Sequence, residues 1–139
     1  MNVIQKEISF EAKRRGFHLV TDEFLSKVPE IKAIKAGTLN LFLKHTSASI
    51  SLNENCDSTV RSDMENLFND LCDDKPYYRH TYEGADDMPA HVKSSMIGAS
   101  LTIPITNGEL NMGTWQGLYL NEHRDYGGSR KAVVTIMGI

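Results

Sequence analysis

Apolar positions along the chain switch between a period of two and a period of three to four, and each switch marks an element. Ile4, Lys6, Ile8 and Phe10 alternate with Val3, Gln5, Glu7 and Ser9, which predicts a first strand that residues 17–20 extend or follow. Thr21 or Asp22 then caps a short helix through Lys27, with Glu23 favourable in its first turn and Pro29 at its end. After Gly37, the run 38–44 reads as a largely buried strand that delivers His45, and a second strand covers 48–53. Asp57 or Ser58 begins the clearest helix, where Val60, Met64, Leu67, Phe68 and Leu71 form an apolar stripe expected to face the core.

Residues 75–87 form a polar connection longer than the usual loop, which suits a functional flap or an interface segment. Asp87, Met88 and Pro89 open another short helix that carries His91, Val92, Lys93 and Met96, and Gly98 closes it. A strand over 99–105 leads to Asn107-Gly108, a strong hairpin signal because both residues tolerate positive φ. Leu118 and Leu120 alternate with Gly117, Tyr119 and Asn121 in a strand ending near Glu122, and residues 131–136 make the last strand. Adjacent strand residues point to opposite faces, so Glu122 and His123 share a pocket only if the strand ends or bulges between them. Strands and helices mix without regular βαβ alternation, which predicts an α+β fold with a mainly antiparallel sheet.

At 139 residues, 40% hydrophobic and 24% charged, the chain suits a single domain, 1–139, with one core. No signal peptide pattern and no apolar run of membrane-spanning length is present, so a cytoplasmic location with no membrane partner is expected. Cys56 and Cys72 read as reduced thiols in that setting. Net charge is −3, and between positions 57 and 87 nine acidic residues face only Arg61, Lys75 and Arg79. That acidity argues against nucleic acid as a partner.

Candidate chemistry lies where polar residues crowd the ends of these elements. His45 sits at a strand end beside the hydroxyls of Thr46, Ser47 and Ser49, a place from which a rigid element can present a reactive group or hold an anion. Asp57 reads first as a helix cap and second as a carboxylate for Mg²⁺. Asp86 and Asp87, followed by His91 and Lys93, can bind a divalent ion and a phosphate together. His45, His91 and Glu122 make a candidate imidazole and carboxylate set for Zn²⁺, provided that they meet in space. Gly127-Gly128-Ser129-Arg130 is a candidate phosphate nest with an arginine beside it, and Trp115 with Gln116 can shield and read a heterocycle.

Four blocks carry a family resemblance. They are His45-Thr46-Ser47-Ala48-Ser49; Asn53-Glu54-Asn55 with Asp57 and Arg61; Gly84-Ala85-Asp86-Asp87-Met88-Pro89 with His91 and Lys93; and Gly113-Thr114-Trp115-Gln116-Gly117 with Glu122-His123-Arg124. In order and over essentially the whole chain they resemble the YjbQ family, also called secondary thiamine-phosphate synthase. The resemblance implies a mixed, half-barrel sheet with a few helices and a homotrimer. It also implies a weak joining of an aminopyrimidine diphosphate to a thiazole phosphate with release of pyrophosphate. Under that reading Mg²⁺ on Asp57, Asp86 or Asp87, with Lys93, Arg124 or Arg130, neutralises the leaving group, while His45, His91, Glu122 and Arg124 are the catalytic candidates. Thr46, Ser47, Asn53, Asn55, Arg61, Lys93, Trp115, Gln116 and Arg130 are then expected to hold a small phosphorylated substrate. Two alternatives stay open: a metal-dependent hydrolase using His45, His91 and Glu122, and a noncatalytic trimer that binds a small molecule or phosphate.

Overall fold

A computed structural model describes residues 1–139. Eight strands and three helices follow in the order β1 (Asn2–Phe10), β2 (Gly16–Leu19), α1 (Thr21–Lys27), β3 (Ala36–Leu43), β4 (Ala48–Glu54), α2 (Ser58–Cys72), α3 (Asp87–Ile97), β5 (Ser100–Thr106), β6 (Glu109–Leu110), β7 (Gln116–Glu122) and β8 (Arg130–Gly138). A short 3-10 helix, Pro29–Ala33, lies between α1 and β3. The fold is α+β, and every strand pairing is antiparallel. One sheet has the order β1-β8-β3-β5-β6 and the other β2-β7-β4, and one of the two is a half-barrel.

Alternation along the strands explains the layering. Leu39, Leu41 and Leu43 of β3 and Ala132, Val134 and Ile136 of β8 face inward, where they meet Ala48, Ile50, Leu118 and Leu120 of the smaller sheet. Phe24 of α1, with Val28, Ile31 and Ile34 after it, completes this core. Strand β7 is buried on both faces after Gln116, because the larger sheet covers one and the helices cover the other. No helix is long and apolar enough to cross a membrane.

Asp57 caps α2, its carboxylate accepting the Thr59 N–H at 2.9 Å. The stripe on that helix departs from expectation. Phe68 packs on Phe17 with ring centroids 5.8 Å apart, but Leu67 and Leu71 remain about half exposed, at 53% and 50%. A helix lying on the outer side of a small three-stranded sheet has too little surface beneath it to cover the whole stripe. The Asn107-Gly108 turn forms with φ of 51° and 78°, yet its second arm is only the two-residue β6. The longer strand β7 belongs to the other sheet.

Candidate functional site

Asp87 is the first residue of α3 and is buried, and His91 follows one helical turn later on the same face. Asp87 Oδ2 lies 3.2 Å from His91 Nε2 and 2.8 Å from His80 Nε2, the latter delivered by the long connection before α3. The two rings are 5.3 Å apart between centroids, and one donor atom from each of the three residues lies within 4.8 Å of the others. Burial pushes the Asp87 carboxyl up, but the His80 hydrogen bond and the charges of His91 and Arg124 outweigh it, so the group titrates below the usual range.

The proton on His91 can be located by elimination. Its Nδ1 is 2.8 Å from the Thr46 carbonyl oxygen, which can only accept, so Nδ1 carries the hydrogen. A neutral ring then turns the Nε2 lone pair toward a carboxylate oxygen, and either a proton or a metal cation must lie between them. An imidazole fixed through one nitrogen by a backbone carbonyl is the usual arrangement of a metal-ligating histidine. Two imidazoles and one carboxylate suit a transition-metal or zinc ion better than Mg²⁺, which prefers oxygen.

Beside this cluster opens a cavity of about 570 Å³ lined by His45, Thr46, His91, Ser94, Ser95, Gly98 and Ala99. His45 Nε2 accepts the Lys131 backbone N–H at 2.8 Å. That bond engages the Nε2 lone pair and leaves Nδ1–H as a donor, so His45 is placed to hydrogen-bond a ligand rather than to ligate a metal through Nε2. Burial and then the Arg130 charge lower its pKa, which favours this neutral form.

Other expected ligands lie elsewhere or are engaged. Glu122 is fully buried and held by Arg130, with Nε to Oε1 at 2.8 Å and Nη2 to Oε2 at 2.5 Å, and it also accepts the Arg124 N–H at 3.1 Å. Arg130 also reaches the Ser47 hydroxyl at 3.0 Å, and neither residue lines the cavity. Asp86 accepts from Arg124 and from the Asp125 N–H, at 3.0 and 2.8 Å. Lys93 is buried in a different network, on Asn69 at 2.7 Å and Asp73 at 3.0 Å. Thus Lys93, Arg124 and Arg130, the expected phosphate partners, each already face an internal carboxylate.

Asn55, Trp115 and Gln116 line a second cavity of about 450 Å³ with Leu19, Thr21, Asp22, Glu23 and Cys56, and it shares no residue with the first. The Trp115 loop is held by Asn55, whose side chain donates to the Thr114 and Gln116 carbonyls, and by Gln116, whose side chain accepts from Gly113 N–H. The Asn53 side chain accepts from its neighbour Glu54 N–H, and Arg61 reaches the Tyr119 hydroxyl at 3.4 Å, so neither joins the histidine cluster. His123, opposite in direction to Glu122, accepts or donates at Ser49 Oγ, 2.9 Å away, on the helix side of β7.

Comparison with known proteins accords with this fold and chain length. A family model described as UPF0047 protein YjbQ-like matches residues 6–139. The chain is 54% identical over 134 residues to the UPF0047 protein YjbQ of Escherichia coli O157:H7, covering 96% of this chain and 97% of that protein. It is 42% identical over 119 residues to a UPF0047 protein of Synechocystis, covering 83% and 81%. Among solved structures, an uncharacterised YjbQ/UPF0047 protein of Clostridium acetobutylicum superposes with a TM-score of 0.82 at 33% identity over 95% of this chain and 99% of that one. A YbjQ-like protein of unknown function from Sulfolobus solfataricus P2 gives 0.85 at 24% identity over 99% of each chain, a likeness of fold. The chain therefore belongs to the YjbQ-like UPF0047 family.

Proposed function

We propose that this protein is a metal-dependent hydrolase of a small oxyanion-bearing substrate such as a phosphate ester. His80, Asp87 and His91 hold a divalent ion of the zinc type. The observation that carries the reading is His91, fixed through Nδ1 by the Thr46 carbonyl while Nε2 faces Asp87. A divalent ion there supplies Lewis acidity to a substrate oxygen or to water. His45 donates from Nδ1–H to the substrate across the adjoining cavity, and the hydroxyls of Thr46 and Ser95 add polar contacts. Asp87 keeps its negative charge through neutral pH, which favours cation binding.

The thiamine-phosphate synthase reading rests on the family resemblance. It calls for cations to neutralise a diphosphate, and the pairing of Lys93, Arg124 and Arg130 with carboxylates weighs against it. For assembly, the homotrimer is the proposal that the family resemblance supports. Sedimentation at three times the 15.6 kDa chain mass is the expected result.

Metal-free protein titrated with Zn²⁺ in a calorimeter tests the centre. We expect one site per chain, with affinity lowered ~100-fold or more in His91→Ala and in His80→Ala. Zinc-loaded protein should hydrolyse aryl phosphate monoesters, whereas His45→Ala should retain zinc and lose most turnover. Zinc binding without turnover on phosphate esters would leave a ligand-binding role. Thiamine phosphate formed with Mg²⁺ in zinc-free protein would restore the synthase reading.

A further inference from the structure

Arg124 borders the histidine cluster and offers it no ligand atom. Its guanidinium is forked three ways: Nη1 lies 2.8 Å from Asp87 Oδ1, Nε donates to Asp86 Oδ2 at 3.0 Å, and Nη2 donates to the Glu83 carbonyl at 2.8 Å. The two oxygens of Asp87 are therefore divided. Oδ1 belongs to the arginine, and Oδ2 alone faces His80 and His91.

We propose that Arg124 is a positioning residue that restricts Asp87 to one-oxygen ligation and so favours a compact cation of low coordination number, such as Zn²⁺, over an ion that seeks more oxygen ligands, such as Mn²⁺. The inference rests on the cation reading above. Two imidazole nitrogens and one carboxylate oxygen leave an open place in a tetrahedron, the arrangement of catalytic zinc sites. An ion that prefers six ligands with more oxygen gains from a second carboxylate oxygen, and the guanidinium occupies that oxygen. Arg124 has little freedom to move aside, because Asp86 is itself anchored by the Asp125 N–H at 2.8 Å. The bond to Glu83 ties down the segment that carries His80, so the same side chain also sets where the second imidazole stands.

The test uses the full chain stripped of metal, titrated separately with Zn²⁺ and with Mn²⁺, as wild type, Arg124→Lys and Asp86→Asn. Lysine keeps the positive charge but cannot fork between two carboxylates. Both ions are divalent, so a change in local charge acts on each alike, and the ratio of affinities reports geometry. We expect the Zn²⁺-to-Mn²⁺ ratio to fall at least ~10-fold in Arg124→Lys, with a smaller fall in the same direction in Asp86→Asn. A ratio within twofold of wild type in both variants, whatever their thermal stability, overturns the role of Arg124 while leaving the metal centre standing. A wild type that binds neither ion overturns the centre and the inference together.

Discussion

At the scale of single residues, His123 shows how burial sets a pH limit on the fold. Burial first, then the charges of Lys93, Arg130 and Arg15, lower its pKa from 6.5 to about 3. Between those values the unfolded chain takes up a proton that the folded chain refuses. Stability is therefore complete above about pH 6.5 and falls by about 1.4 kcal/mol for each pH unit below it, until about pH 3. The lowered pKa of His45 acts with the same sign. Carboxylates such as Asp87, lowered in the fold, lose their contribution only as pH falls below about 4. Urea melts at pH 7 and pH 5 should thus differ by about 2 kcal/mol, and His123→Gln should remove most of that difference. The Glu122–Arg130 pair gives a second residue-scale prediction: Glu122→Gln leaves a buried guanidinium short of its counter-charge and should lower stability by about 3 kcal/mol in the same melts. That Asp87 and His91 would meet was legible, since a carboxylate at a helix start and a histidine four residues on must share a face. That His80 would join them was not, because a loop residue has no period to place it. Nor could spacing reveal that Glu122 is closed off by an arginine eight positions later.

Elements were legible wherever one face of a strand or helix meets a large surface. The alternation in β1, β3 and β8 follows their single buried face, and the Asn107-Gly108 turn needs only local backbone chemistry. What β7 pairs with is a different matter: an element buried on both faces has partners decided by the whole packing, so its sheet could not be read from its own residues. The half-exposed α2 stripe failed for the converse reason, a helical period being no guarantee of a surface to bury it. Close approach of two strands yields a test at this scale. Gly37 pairs with Gly138, and a Cβ at Gly37 would stand 2.3 Å from the Met137 carbonyl oxygen and 2.7 Å from the Gly138 Cα. Those atoms belong to a neighbouring backbone in the middle of a sheet, so they cannot turn away as a side chain would. Gly37→Ala should lower stability by about 3 kcal/mol, read from the urea midpoint.

Taken whole, the molecule joins its first and last strands at one side of its larger sheet. Strand β8 lies between β1 and β3, with Asn2 opposite Gly138 on one side and Gly37 opposite the same residue on the other. Pairing over such sequence distances is slow, so folding should take milliseconds to seconds, and stopped-flow refolding measures it. The strand order has a further consequence during synthesis. A ribosome adding ~5–20 residues per second needs on the order of ten seconds to travel from β1 to β8. Throughout that interval the nascent β1 lacks its strand partner, and β3 keeps one edge open even after β5 has emerged. The yield of the folded chain should therefore fall when chaperones that shield emerging strands are depleted, by more than its finished stability suggests.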